Sequence, residues 1–359
     1  MIHPASEEYL RTDRTPLFLE LTELLKPIDS FSRQPMFYLR RLAWYVTVHV
    51  AMLCLLAVTP NPWLCLLWVS IDAVYMLRLG FIAHDLAHGA VSNDARYKRY
   101  LGEFVWAFLL GLSQEFWDRK HTLHHRLTNV ARDGDGDPDI ETPPFILGEQ
   151  QKRVADTPLQ RGIAKSQHIL YWMALSLLVF GLAYESVVFL LKREFKGRPF
   201  QVQSNRALVL GLLALGYLAN NFTLFLAQPV WIGLLLLLYK YLAAGFVIGI
   251  VFALNHVGLP TVSGEFPVDR LTLQTYTSRN VSGPFGRWFW GLLAYQTEHH
   301  LWPGISWHKL PEVAAITRGF CERHGIIYNE ETPLRCLLDS TESLKRLGTE
   351  AEFVPTPQP

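Results

Sequence analysis

The sequence predicts an all-α integral membrane protein, with four transmembrane helices in two hairpins, interfacial helices and a cytoplasmic helical cap. Three observations lead there. Half of the 359 residues are apolar and the mean hydropathy is positive despite long polar stretches, so the apolar residues must be gathered into blocks. Short uncharged turns join pairs of blocks, while Lys and Arg collect at the opposite ends. Eight of the thirteen histidines fall in four short groups, each at a block end or in a polar segment beside one.

Taken in order, residues 1–35 are a polar N-terminal segment without an apolar core of signal-peptide length, so the first membrane segment is expected to do its own targeting. Arg40-Arg41 stands directly before the block 42–59 and places that end in the cytoplasm. The block is long enough to cross most of the hydrocarbon at about 1.5 Å per residue. Pro60-Asn61-Pro62 turns the chain, and 63–83 returns it, interrupted only by Asp72 and Arg78. The next apolar stretch, 100–112, carries Glu103 and is too short to span, so it reads as re-entrant or interfacial. Residues 126–161 form a polar loop. The second hairpin is 207–227 and 230–254, joined by Gln228-Pro229. Between them and the loop lies the apolar block 169–191. Parity makes it a membrane-hugging helix, and Glu185 within it suits an interface. A five-span alternative would put His256 on the opposite side from His121–His125. A further helix is expected from near Pro311 to His324, before Gly325. The whole chain, 1–359, reads as one domain with its core at about 36–330 and a disordered tail at 340–359.

The formal charge of +1 offers nothing that attracts a nucleic acid. Cys54, Cys65, Cys321 and Cys336 are scattered, with no CxxC, which argues against a disulfide framework or a thiolate metal site.

The histidines carry the chemistry. His121, His124 and His125 sit at i, i+3 and i+4, one face of a helix. His84 and His88 are one helical turn apart, and His256 ends the last span. His299 and His300 are adjacent, as are His124 and His125, so on a helix each pair diverges by about 100° and suits two different ions. Gln296 stands three residues before its pair, as His121 does before its own, and could ligate through its carbonyl or hold a water. The bland alternative is a set of interfacial histidines satisfied by backbone carbonyls. Four groups on one inferred face favour a dimetal centre. An all-nitrogen ligand set suits Fe, Zn, Cu or Ni rather than Mg or Ca. Apolar helices beside the site imply a lipid-chain substrate, whose C–H bonds require activated oxygen and therefore redox iron.

These residues resemble the histidine boxes of the membrane fatty acid desaturases. The three boxes stand as His84-Asp85-Leu86-Ala87-His88, His121-Thr122-Leu123-His124-His125 and Gln296-Thr297-Glu298-His299-His300. The opening glutamine of the third box is similar to that of the front-end subgroup, the Δ5, Δ6 and Δ8 types. Asn129, Asp137-Pro138-Asp139-Ile140 and Leu301-Trp302-Pro303 strengthen that likeness. The resemblance implies a four-span, mushroom-shaped fold, two Fe2+ ions, O2 as co-substrate and two electrons from outside. It adds His256 to the ligands. The implied substrate is a fatty acyl lipid or acyl-CoA, bound among membrane lipids, and the metal site faces the cytoplasm. Many front-end enzymes carry an N-terminal cytochrome b5 domain with an HPGG motif. Here His3-Pro4 stands in a segment too short for one, so the expected donor is a separate ferredoxin, or cytochrome b5 with its reductase. Oxygen insertion, giving a lipid or carotenoid hydroxylase, is the alternative on the same scaffold. A metal transporter is a weaker one, since it would place ligands at mid-membrane.

Other signals are set aside. Asp133-Gly134-Asp135-Gly136-Asp137 invites a calcium-loop reading, but the sixth loop position is Pro138 and the twelfth is Pro144. His49 is expected to hydrogen-bond within the bundle. His168, His308 and His324 are single. Asp85, Asp118, Asn255 and Asn280 are candidates to orient ligand imidazoles. Trp117, Trp288 and Trp290 read as packing or interfacial aromatics.

Overall fold

The structure is a computed structural model that describes residues 5–132 and 134–354. Its longer helices, in order, are α1 (Thr15–Leu24), α2 (Pro35–Val58), α3 (Pro62–Ala87), α4 (Gln114–Arg126), α5 (Pro158–Ala174), α6 (Leu178–Lys192), α7 (Arg206–Asn221), α8 (Val230–His256), α9 (Arg270–Thr277), α10 (Gly283–Trp290), α11 (Gln296–Leu301), α12 (Leu310–Arg323) and α13 (Pro333–Thr349). Among the described residues, five helices are long and apolar enough to cross a membrane: Pro35–Val58, Pro62–Ala87, Pro158–Lys192, Arg206–Phe225 and Val230–His256. That is one more than the sequence reading counts as spans. The extra one arises because only a tight turn at Leu175–Leu177 separates α5 from α6, so a polar start and the apolar block 169–191 join into 35 helical residues.

The described chain divides into two units. The bundle unit is drawn from Arg33–Arg119 and Ala174–Ile250. In it, α2 and α3 form the first hairpin. Pro62 opens α3, and the Asn61 side chain accepts from the Trp63 and Leu64 amides at 2.9 and 3.3 Å, which satisfies donors that apolar surroundings would leave stranded. Leu56, Cys65, Val69, Leu224 and Leu236 make a buried apolar cluster. Trp44, Trp63, Leu67, Leu215, Leu218, Leu234 and Leu238 are exposed on the outer faces, as lipid-facing positions require.

Charged residues inside this bundle satisfy one another. His49 Nδ1 lies 2.6 Å from Asp72, and its Nε2 lies 2.9 Å from Asn220 Oδ1. Lys240 reaches the other Asp72 oxygen at 3.7 Å and donates to the Asn220 carbonyl at 2.6 Å. The stretch expected to be re-entrant is π-wound over Tyr97–Gly102 and Phe104–Leu109. It packs so closely on α7 that a Cβ on Gly216 would meet the Phe108 carbonyl at 2.2 Å.

The histidine unit is drawn from Met1–Ser32, Lys120–Met173 and Val251–Pro359. Short parallel strand pairs stitch it: Val130–Ala131 with Val262–Ser263, Arg153–Ala155 with Glu352–Val354, and Arg279–Val281 with Asn329–Glu331. Arg279 is buried beneath the end of α8. Its guanidinium donates to the Leu254, Val257 and Cys336 carbonyls and to Ser340 Oγ, at 2.5–3.1 Å. A cation placed on the last carbonyls of a helix offsets both their unmet hydrogen bonds and the helix dipole.

The tail departs from expectation. Residues 340–354 are ordered, in α13 and the strand Glu352–Val354, instead of disordered. Thr332 caps α13 and Pro333 opens it. Its buried Cys336, Ser340, Leu344 and Leu347 form one helical face, and Gln167 donates to the Leu344 carbonyl at 2.7 Å. Asp133, His3-Pro4 and the Pro-bearing end at 355–359 lie outside the described residues. The helix expected from Pro311 is α12, Leu310–Arg323.

Candidate metal centre

Within the histidine unit, three segments bring seven of the nine sequence-assigned residues together. The end of α4 supplies His121, His124 and His125; the end of α8 supplies His256; α11 supplies Gln296, His299 and His300. All seven are buried.

They sort into two sets. His125 Nε2 lies 3.0 Å from His121 Nε2 and 3.0 Å from His299 Nε2. The other set is His124, His256 and His300, whose ligand nitrogens lie within 4.8 Å of one another. Gln296 Nε2 stands 2.8 Å from His256 Nε2 and 2.9 Å from His300 Nε2. Each adjacent pair divides between the sets: His124 from His125, His299 from His300. That is the divergence their helical spacing imposes.

The donor geometry fits a metal ion. Lone pairs of neighbouring imidazoles repel at 3.0 Å unless a proton or a cation lies between them. Nitrogens at about 2.1 Å from one ion, at right angles, would stand about 3.0 Å apart. Gln296 Oε1 is buried and has no hydrogen-bond partner among the described residues, although such an oxygen ordinarily has one.

The surroundings orient the rings. His124 Nδ1 contacts both oxygens of Asp137, at 2.9 and 3.0 Å, and His256 Nδ1 contacts the Thr277 carbonyl at 3.0 Å. Carboxylate and carbonyl oxygens only accept, so each Nδ1 carries a proton, and in the neutral ring the lone pair is then on Nε2. Asp137 is itself held by the Asn129 and Asp139 amides at 2.8 and 2.9 Å. Burial disfavours a charged His124, but Asp137 and Asp139 outweigh it and hold its pKa above the ordinary value. Asn129 takes a left-handed conformation, φ +54°, that asparagine tolerates, and its side-chain Nδ2 donates to the His256 and Pro260 carbonyls at 3.2 and 3.3 Å. Behind α11, Glu298 is fully buried and accepts from Asn280 at 2.7 Å and Tyr328 at 2.8 Å. Burial raises its pKa, and those hydrogen bonds oppose the rise.

His84 and His88 end α3 in the bundle unit, with ring centroids 4.7 Å apart. Beside them Asp85 accepts from Tyr38, and its other oxygen is 3.4 Å from His84 Nδ1. The remaining orienting candidates face elsewhere. Asp118 pairs with Lys98 at 2.9 Å, Asn255 donates to the Arg279 and Leu293 carbonyls, and Asn280 serves Glu298 and the Thr297 amide. Sequence reasoning noted Asp137 only as a flank and missed its tie to His124. The signal was there, a carboxylate in a turn one residue from a proline.

A family model described as fatty acid desaturase matches residues 60–332. Fatty acid desaturase 2-like protein FADS2B of Mus musculus is 26% identical over 356 residues, which cover 96% of this chain and 69% of that protein. The Delta(8)-fatty-acid desaturase of Euglena gracilis is 27% identical over 71% of this chain and 61% of its own length. The Delta(6)-fatty-acid desaturase fat-3 of Caenorhabditis elegans is 27% identical over 85% of this chain and 65% of its own. The chain thus spans about two thirds of the length of these relatives. With the model match covering most of its length, this chain belongs to the fatty acid desaturase family.

Proposed function

We propose that this protein is an oxygen-dependent diiron desaturase that introduces a cis double bond into a fatty acyl chain, carried as a lipid or as acyl-CoA. The observation that carries the proposal is the pair of imidazole sets, His121/His125/His299 and His124/His256/His300 with Gln296, in a chain of this family. His84 and His88 join the ligands on their box pattern. When bound, the two irons would supply the reduction of oxygen that makes abstraction from unactivated methylenes feasible. The balance is one CH2–CH2 unit, O2, two electrons and two protons, giving CH=CH and two waters.

This chain's residues do the rest. Asp137 and the Thr277 carbonyl keep the Nδ1 protons of His124 and His256 in place, so that the Nε2 atoms face the ions. An acyl chain would be held dry beside the metals, with bond position set by where its head group is anchored. Relatives named as Delta(8) and Delta(6) desaturases, and the glutamine opening the third box, support a front-end position. Arg40 and Arg41 support a cytoplasmic site. Exposed Glu185 and the turn at Leu175–Leu177 support four spans, with Pro158–Lys192 at the interface. The electrons would come from a ferredoxin or a cytochrome b5 with its reductase.

The test is expression in a host fed acyl chains of defined length, with lipid profiling and iron analysis of the purified protein. A new cis double bond with about two irons per chain is expected. A hydroxylated product without a double bond, or a protein without iron, contradicts the proposal.

A further inference from the structure

Gln274, on the short helix α9, touches both the second and the third histidine box, and no box pattern includes it. Its amide nitrogen donates to the His125 carbonyl at 2.9 Å. That carbonyl only accepts, so the orientation of the Gln274 amide is set by chemistry: nitrogen toward His125, oxygen away. The oxygen then lies 2.9 Å from His300 Nδ1 and 3.0 Å from Thr128 Oγ1. Thr128 Oγ1 is in turn 2.9 Å from the His124 carbonyl and 3.0 Å from His300 Nδ1. Gln274, Thr128 and His300 are all buried.

The consequence runs in one direction. An amide oxygen cannot donate, so His300 Nδ1 must carry a proton, and in the neutral ring the lone pair is on Nε2. On the far side of the ring the Gln296 side-chain amide lies 2.9 Å from His300 Nε2, a distance that a lone pair there accommodates. Thus all three imidazoles of this set have Nδ1 on an oxygen acceptor, from Asp137, Thr277 or Gln274.

We propose that Gln274 is a positioning residue that holds His300 in the Nδ1-protonated tautomer and locks the third box to the second. It touches no substrate and acts through His300. The inference rests on the dimetal reading above, and its test separates the two. Outer partners of ligating imidazoles are worth about 10–100-fold in metal affinity. The substitution to use is Gln274→Met, which keeps the volume and helix preference but removes both the acceptor and the donor.

Ferrous iron binding is measured on wild type and Q274M in detergent, beside the tautomer state of 15N-histidine in the metal-free proteins. Wild type should bind two irons with His300 protonated on Nδ1. Q274M should bind one iron about 10–100-fold more weakly, with His300 in mixed tautomers. Wild type without iron refutes the dimetal reading itself. Wild type with two irons, matched by an equally tight Q274M, overturns the role of Gln274 alone. If Q274M does not accumulate, the wild-type spectrum still decides: His300 protonated on Nε2 refutes the inference.

Discussion

Both carboxylate oxygens of Asp137 lie against one ring nitrogen, His124 Nδ1, at 2.9 and 3.0 Å, in the buried interior of the histidine unit. This contact turns a helical histidine into an oriented one. It reaches across a turn that Asn129 makes in the left-handed conformation, and the Asn129 amide closes on the same carboxylate at 2.8 Å.

Asp137→Asn should therefore weaken iron binding at one site by about 10–100-fold and leave the other near its wild-type affinity. Asp139→Asn should do less, because Asp139 pairs mainly with Lys120 and lies farther from His124 Nδ1, at 3.4 Å. Iron titration of the purified variants checks this. Equal affinities in wild type and D137N would contradict the orienting role.

In the bundle unit, Asp72 is shared by His49 at 2.6 Å and Lys240 at 3.7 Å. Asp72→Ala takes from His49 and Lys240 their shared counter-charge, leaving each only its contact with Asn220, and should cost about 3–5 kcal/mol, whereas Lys240→Met leaves Asp72 its histidine and should cost less. The double variant should be less damaged than the sum of the two singles, since they share a partner. Thermal unfolding in detergent measures the cycle. Strict additivity would show that the contact is energetically idle.

Cys321 is fully buried, and burial with Glu298 and Glu322 nearby pushes its thiol up to about 12. At pH 8 its thiolate fraction is then about one in ten thousand. Native protein should keep Cys321 unmodified under an alkylating reagent, and denatured protein should lose that protection. Peptide mass spectrometry reads the difference. Rapid labelling of the native protein would refute the packing around α12.

The boxes were legible because helical periodicity converts spacing directly into direction. His121, His124 and His125 had to share a face, and His299 and His300 had to diverge. The long apolar helices were legible for a similar reason, since charge-free length is a local property. What escaped was non-local. Gln274 is separated by 149 residues from His125 and by 26 from His300, and nothing in its own neighbourhood marks it. Residues 340–354 escaped because the proline-bearing end dominated their reading. Their order comes from burying Leu344 and Leu347 and from pairing Glu352–Val354 with Arg153–Ala155, far away in the chain. The extra long helix came from continuity across Leu175–Leu177, which an apolar-block count does not register.

The most direct measurement is the fatty acid profile of cells expressing wild type, His124→Ala or His299→Ala, one ligand from each imidazole set, at matched membrane levels. The expected result is a new cis-unsaturated acyl chain with wild type and none with either variant. An unchanged double-bond yield in H124A or H299A would contradict the central claim that these two histidine sets hold the metals that desaturate the chain.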